Sequence, residues 1–495
     1  MNDDDLLKHL TSLARTESKP AGMAHWRDSL QAHPRRWALG PILGLASGVA
    51  AVAVVLVGVQ VGNHTPHSSP GGNHPAVGVT ASATTKGSTS GSPLASPSST
   101  ATSTTGTAGS HPQSQSAPGQ VVAGIVTGWG DNSDGALGNG LQTNSASPVP
   151  MQLPAGSHVA QIVEGDGASV AVLSDGTVWV TGRTYDGELG NGTYPVSVDV
   201  PTKVAITNVK SVSAGQFTLF ALKNDGTVWS WGWNGYGALG TGSSASKTAT
   251  PAEVPGLSNV VQVTAQWTTG VALKSDGTVW SWGDNAAGNL GNGTQCSPST
   301  GCQGSGTPVQ VHGAGNVGFL SGVASISSGR GDTLAVLTSG TVVGWGADNY
   351  GQLGDNDNKN KPAPVAMLAS GGGQTLGGVA SVAAGGTFTL VLKGDGTVLA
   401  AGYNLDGELG NGTSGSSVYV PVAVSGLSDV KAVAAGYYHA LALRSDGTVW
   451  AWGKNDAGQL GTGSAGGFRS SAAMVGGLSG QTAIAAGGST SLALS

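Results

Sequence analysis

Nine aromatic side chains stand in loop-forming rather than strand-forming stretches of this chain. Tyr185, Trp233, Tyr236, Tyr350 and Tyr403 lie in glycine-rich loops of the pattern Gly-x-Asn-x-x-Gly-x-Leu-Gly or its variants. Phe217, Trp267, Tyr437 and Tyr438 lie in short turns of the type Ala-Gly-x-x, and Arg330 occupies another such turn. Rigid aromatic and arginine side chains displayed on loops suit protein recognition, because they offer large contact area at low conformational cost. The competing reading is that some of these rings pack inside the fold. Acids gather in the same loops: Asp134, Asp166, Asp186, Glu188, Asp284, Asp406, Glu408 and Asp456. Some would only bond local backbone. An acidic face still argues against a nucleic-acid surface, which needs Lys and Arg for phosphates.

Other reactive types are sparse. His158, His312 and His439 fall in different copies of the repeat described below, and no Gly-x-Ser-x-Gly, phosphate loop or His-Glu-x-x-His is present. His439 heads an apolar run, which suits a structural role. No catalytic residue, cofactor or metal is therefore expected. Cys296 and Cys302 bracket Ser-Pro-Ser-Thr-Gly without a nearby histidine, which makes a poor zinc site and a good extracytoplasmic disulfide. Arg330-Gly331-Asp332 has the look of an adhesion tripeptide, a match short enough to arise by chance. Asp355-Asn-Asp-Asn358 alternates oxygen ligands but lacks the remaining spacing of a calcium hand.

The elements that position these residues are short strands. In Leu273-Lys-Ser-Asp-Gly-Thr-Val-Trp-Ser-Trp-Gly283, Asp276-Gly277 sits between two apolar runs and reads as a two-residue type I′ hairpin turn. That turn places Leu273 opposite Trp280 and Val271 opposite Trp282. The unit recurs. Gly-x-Leu-Gly leucines stand at Leu137, Leu189, Leu239, Leu290, Leu353, Leu409 and Leu460, seven copies at intervals of 50 to 63 residues. A period near 50 with several strands per copy indicates a propeller. Each copy holds four strands: a (278–282 in this copy), b (including Pro308–Val311), c (like Val260–Thr264) and d (like Ala440–Leu443). Strands a and c end on the face with the aromatic loops; the Asp-Gly turns lie on the other. The last copy ends in a strand d (491–495) and the first starts in a strand a (124–130), so the two are expected to pair, Leu492 near Trp129, and close the ring.

Three segments precede the propeller, which is read as 121–495. Residues 1–36 are polar and mixed in charge, a marginal helix on a tail or a docking helix for a cytoplasmic partner. Residues 37–61 carry no charge and are long enough to span a bilayer core of about 30 Å. Arg35-Arg36 precede this stretch and no Lys or Arg follows before Lys86, so the N-terminus is placed in the cytoplasm and the propeller outside. The length of the apolar run favours an uncleaved anchor over a signal peptide. Residues 62–120 are rich in Ser, Thr, Gly, Pro and Ala and read as a disordered stalk. The net charge of −6, with only 10% charged residues, offers no general attraction to nucleic acid or anionic lipid.

Ala-Gly-Tyr-Tyr-His-Ala-Leu-Ala-Leu-Arg-Ser-Asp-Gly-Thr-Val-Trp-Ala-Trp-Gly (435–453) with Gly-Gln-Leu-Gly (458–461) resembles the regulator of chromosome condensation repeat, over roughly residues 121–495. Thr181 and Ala401 depart from its tryptophan, and Ser339-Gly340 from its Asp-Gly. The resemblance implies an all-β, seven-bladed propeller of four-stranded blades. It also implies roles. One branch of the family exchanges nucleotide on a small GTPase and docks on chromatin, which would need basic contacts and a cytosolic propeller. Another consists of secreted bacterial propellers that inhibit β-lactamases. From the sequence as a whole, the expectation is a monomeric, membrane-anchored binding propeller whose partner is a protein or the cell wall outside the cytoplasm. A glycan-active enzyme using two acids of the aromatic face is the alternative reading.

Overall fold

The computed structural model describes residues 124–296 and 304–495. The three N-terminal segments, the candidate membrane span 37–61 among them, lie outside the described residues. Seven four-stranded antiparallel sheets make up the fold, and the described residues contain no α-helix. Blade 1 consists of strand c (Val159–Glu164), d (Ala168–Leu173), a (Val178–Arg183) and b (Ser197–Lys203), hydrogen-bonded in that order from the axis outward. Blades 2 to 6 begin at Val209–Ala214, Val260–Ala265, Val323–Ser328, Val379–Ala384 and Val430–Ala435. The c strands of successive blades touch one another all the way round, so they wall a central channel.

Blade 7 is built from both ends of the described chain. Ala483–Gly487 and Thr490–Leu494 supply strands c and d, and Val126–Gly130 and Ser145–Pro150 supply a and b. The expected closing pair is present with its register displaced by one: Leu492 faces Gly128, and Trp129 faces Ser491. Gly124 and Gly128 lie so close to Leu494 and Leu492 that a Cβ at either would come within 3.0 Å of those side chains.

The hairpin register also differs from expectation. Lys274 and Thr278 close a three-residue loop, and only Gly277 adopts positive φ (80°). This is a type I turn followed by a glycine bulge, not a type I′ turn. The one-residue difference exchanges the faces. Gly270 and Ala272, not Val271 and Leu273, lie opposite Trp282 and Trp280. A Cβ on Gly270 would fall 2.3 Å from the Trp282 ring, so the tryptophan needs a glycine across the strand.

That sorting builds the core between blades. Trp282 packs toward blade 2 with Phe220 and Val254, while Val271, Leu273 and Val279 pack toward blade 4 with Trp345. Each of seven apolar clusters lies at one of the blade interfaces. The glycine-rich loop locks the interface. Its variable residue offers a backbone carbonyl to the buried tryptophan of the next blade: Glu188 to Trp231 Nε1 (2.8 Å), Ala238 to Trp282 (3.1 Å), Asn289 to Trp345 (3.1 Å), Glu408 to Trp452 (2.8 Å) and Gln459 to Trp129 (2.9 Å). Where Thr181 replaces tryptophan, its hydroxyl reaches the Gly135 carbonyl at 2.9 Å instead.

Candidate functional site

The turn between strands c and d brings one residue per blade to the mouth of the channel: Asp166, Gln216, Trp267, Arg330, Gly386, Tyr437 and Gly488. The residue before each is glycine in every blade but one, where Gln266 stands. The glycines are sterically required in most blades. A Cβ on Gly215, Gly329 or Gly487 would lie 2.1 to 2.3 Å from the carbonyl oxygen of the neighbouring turn. A common backbone thus presents five different side chains and, at Gly386 and Gly488, none.

Two of them meet across the opening. The Trp267 indole Nε1–H donates to the Tyr437 hydroxyl, although the two lie in blades 3 and 6. Their rings meet nearly edge-on at 6.1 Å. This pair bars the mouth, above a cavity of about 100 Å³ walled largely by small residues. Arg330 lies over the other side of Trp267, its guanidinium carbon 3.5 Å from the indole centroid. Arg330 is exposed, and among the described residues no carboxylate lies within ion-pair distance of it.

From this bar, ring contacts continue outward through Tyr437–Tyr438 (6.5 Å), Tyr438–Tyr403 (5.8 Å) and Tyr403–Tyr350 (5.1 Å). A second cluster joins Phe217 to Trp233 (6.0 Å) and Trp233 to Tyr236 (6.0 Å). Arg183 anchors it, 4.7 Å from the Phe217 centroid and 5.4 Å from that of Tyr185. The structure therefore gathers the nine aromatic residues singled out in the loops into two clusters, and none of the nine is fully buried. Tyr236 is 59% exposed and has left-handed backbone (φ 56°), an uncommon conformation for a bulky side chain and a mark of functional sites.

The acids are arranged differently from the expected open acidic face. Asp166 pairs with Arg183 (3.8 Å) and accepts from Gln216 Nε2 (2.6 Å). Asp186 pairs with Lys247 (3.4 Å), and Lys454 lies between Asp406 (4.0 Å) and Asp456 (3.1 Å). Glu188 and Glu408 are buried. Burial also pushes the Glu164 carboxyl up to about 8, against the opposing hydrogen bond from Ser169 and with help from Asp166 and Asp131. Six of the eight acids are therefore paired with a cation of the chain or buried, which leaves the face less acidic than its composition suggests.

Smaller expectations resolve on geometry. Asp332 is buried at the head of its strand, so Arg330-Gly331-Asp332 shows a partner its guanidinium but not its carboxylate. Lys361 Nζ bridges Asp355 (2.7 Å) and Asp357 (3.2 Å), filling with a cation of the chain's own the place where calcium would sit. Among the described residues no group of three or more His, Cys, Asp or Glu is placed to hold a metal. His439 is buried, bonded through Nε2 to Ser491 Oγ at 2.9 Å, and its pKa is lowered to about 3 by that burial. Cys296 is disulfide-bonded; Cys302 lies outside the described residues.

Seven blades of this repeat around a channel find close counterparts. The RCC1-like domain matches residues 119–375, and the regulator of chromosome condensation (RCC1) repeat matches stretches between 379 and 494. The chain belongs to the RCC1-like family. The E3 ubiquitin-protein ligase HERC2 of Mus musculus is 31% identical over 69% of the chain, and the ultraviolet-B receptor UVR8 of Arabidopsis thaliana is 30% identical over 61%. These stretches span 7% of HERC2 and 66% of UVR8. Among solved structures, human WBSCR16 superposes with a TM-score of 0.65 at 25% identity, covering 76% of this chain and 99% of the other. Saccharomyces cerevisiae Prp20p, described with its binding properties to Gsp1p and histones, superposes at 0.66 and 21% identity over 77% and 93% of the two chains.

Some members of the RCC1-like face escaped the sequence reading. Arg183, Trp233, Tyr403 and Lys454 share one position at the end of strand a, directly after its glycine. There the backbone N–H donates to the neighbouring c–d turn, as Arg183 does to the Gly167 carbonyl (2.7 Å) and Lys454 to that of Tyr438 (2.8 Å). Variation at this position between copies, beside an unvarying glycine, was the available signal for Arg183 and Lys454. Tyr194 was also missed. It is 49% exposed, with the Lys247 ammonium 5.1 Å from its ring.

Proposed function

We propose that this RCC1-like propeller is a membrane-anchored binding module, held outside the cytoplasm, whose channel-mouth face receives a protein partner. The observation that carries the binding role is the Trp267–Tyr437 bar with Arg330 stacked upon it. The bar turns the end of a channel into a platform. It holds aromatic surface rigid, so little side-chain entropy remains to be lost on binding. It also presents a guanidinium with no carboxylate of its own, suited to an acidic side chain on the partner. Aromatic anchors with arginine are the residue types on which binding energy concentrates. The uncharged stretch 37–61, with Arg35-Arg36 before it, supports the anchored topology.

Two measurements test this reading. Protease added to intact cells should degrade the propeller; protection would place it inside and favour a cytoplasmic GTPase-type regulator. Partner recovered on the wild-type propeller should be lost on Trp233→Ala/Trp267→Ala/Tyr437→Ala. Equal recovery by the two would remove the aromatic face from the account.

A further inference from the structure

Repetition supplies seven solutions to each local problem, and three of them are chemically odd. The first problem is the variable residue of Gly-x-Leu-Gly. In blades 4 and 6 it is glutamine, and its side-chain oxygen accepts from the backbone two residues earlier: Gln352 Oε1 from Tyr350 N (3.1 Å) and Gln459 Oε1 from Ala457 N (2.9 Å). In blades 1 and 5 it is glutamate, and one oxygen does the same: Glu188 Oε2 from Asp186 N (2.8 Å) and Glu408 Oε2 from Asp406 N (2.9 Å). The other oxygen of each glutamate is buried without a partner.

The second problem is the asparagine that folds the same loop. In blade 2, Asn234 Oδ1 accepts from Leu239 N (3.0 Å) and Nδ2 donates to the Ser243 and Ala245 carbonyls (3.0 and 2.8 Å). Asn132, Asn285, Asn404 and Asn455 are bonded in the same way. Blade 4 has Asp348. Its Oδ1 accepts from Leu353 N (2.9 Å), while its buried Oδ2 stands where the others have a donor and finds none.

An ionised carboxylate with one oxygen buried and unbonded is costly, whereas a carboxylic acid has the shape and the donor–acceptor pair of an amide. We propose that Glu188, Glu408 and Asp348 are carried in the folded protein as neutral acids standing in for the amides that several other blades carry at these positions, so that three protons latch the loops of the binding face. For Asp348 the added hydrogen has an acceptor in Asp355, whose carboxylate is already fixed by Lys361. The groups facing each acid pull both ways: the neighbouring acids favour a held proton, the cations oppose it, and burial outweighs the cations. Glu188 faces Arg183, Tyr185 and Asp186, the last already paired with Lys247. Glu408 faces Tyr403, Asp406 and Lys454. Asp348 faces Asp355 and Lys361. Burial is the largest cause in all three, raising Glu188 and Glu408 to about 7 and Asp348 to about 8.

The sign follows from linkage. A raised carboxyl pKa means that the folded state binds the proton more tightly than the unfolded chain. The stabilisation is complete below the ordinary values of 4.5 and 3.8, and is lost as pH rises through about 7 and about 8. Glu188 and Glu408 lie in the loops that carry Tyr185 and Tyr403, so alkaline pH loosens the aromatic face first. That consequence rests on the binding role proposed above; the protonation does not.

The test compares wild-type full-length protein with Glu188→Gln/Glu408→Gln/Asp348→Asn by urea denaturation at about pH 5 and about pH 9. The wild-type unfolding constant should rise with pH by about tenfold per unit for each acid across its window, and the amide variant should lose the share due to these three while keeping that of Glu164 and Asp332. The variant should also be the more stable of the two at the alkaline end. A variant that keeps the wild-type pH dependence, is weaker at high pH, or fails to fold overturns the proposal, because amides already hold these positions in several other blades. Infrared difference spectra give an independent readout: the carbonyl stretch of protonated carboxyls near neutral pH should be weaker in the variant, which keeps only other buried acids such as Glu164 and Asp332. A band of equal strength in the two proteins overturns the proposal as well. Neither readout involves a partner, so failure of the binding role leaves this result standing.

Discussion

The two rims of the propeller have the same backbone periodicity and opposite side-chain habits. On the Asp-Gly rim, five of the turns repeat one solution. Asp276 Oδ1 accepts from Thr278 N (3.0 Å) and Thr278 Oγ1 (2.7 Å), and Asp175, Asp225, Asp395 and Asp446 do the same with their threonines. At the channel mouth, equally regular turns carry five different side chains, those of Asp166, Gln216, Trp267, Arg330 and Tyr437, and two glycines, Gly386 and Gly488. A residue repeated at every turn is solving a problem that every turn has, namely closing a hairpin. A side chain that changes from turn to turn is not needed to close the turn, and its chemistry is free to serve something outside the chain.

The largest effect expected on this division comes from neither rim but from the seam that makes both continuous. Thr490–Leu494 pairs with Ala483–Gly487 on one side and Val126–Gly130 on the other. Deleting residues 490–495 exposes two strand edges and the cluster containing Leu492, Leu494 and Val126. The cooperative thermal transition should be lost or shifted down by more than any point substitution shifts it. An unchanged transition in calorimetry would mean that the ring does not depend on its closure.

Next come two tryptophans that look alike in sequence. Trp282 is fully buried, bonded to the Ala238 carbonyl and wedged against Gly240 and Gly270. Trp282→Ala should cost about 3–5 kcal/mol of stability. Trp267→Ala removes a half-buried ring, one hydrogen bond and the seat of Arg330, and should cost about 1 kcal/mol while abolishing partner recovery. Denaturation midpoints beside pull-downs separate the two. Equal losses of stability would erase the distinction between a structural and a displayed tryptophan.

The same contrast marks how far the sequence could be read. Seven repeats, four strands in each and the closing pair were legible, because turn glycines and apolar alternation are local. Register was not. Asp-Gly serves both a two-residue turn and a three-residue loop with a glycine bulge, and only the backbone of Gly277 tells them apart. Of the site, the loop positions of the rings were legible and their company was not. Trp267 and Tyr437 are 170 residues apart and meet only because blades 3 and 6 face each other across the channel. Arg183 reaches Phe217 of the next blade, a pairing set by the curvature of the ring. The burial of Glu188 and Glu408 was hidden for a related reason: the Gly-x-Leu-Gly loop folds back between blades, and its length in residues does not say so.

The smallest expected effect is the sharpest check on the comparison. Blade 4 already replaces the turn aspartate with Ser339, whose hydroxyl bonds Thr341 Oγ1 at 2.8 Å. Asp276→Ser should therefore fold and bind as wild type at neutral pH. What it should change is the acid limb. The hydrogen bonds from the Thr278 hydroxyl and then its backbone N–H hold the Asp276 carboxyl below its ordinary 3.8, so its contribution is present above that value and fades as pH falls through the lower one. Serine does not titrate, so the variant should lose less stability than wild type over that range. Full solvent exposure of Asp276 keeps the difference small, and substituting all five turn aspartates should make it measurable in acid denaturation midpoints. Partner recovery must stay unchanged throughout. If Asp276→Ser weakened recovery as Trp267→Ala is expected to, the Asp-Gly rim would be part of the binding surface, and uniform turns would no longer mark the structural side of this propeller.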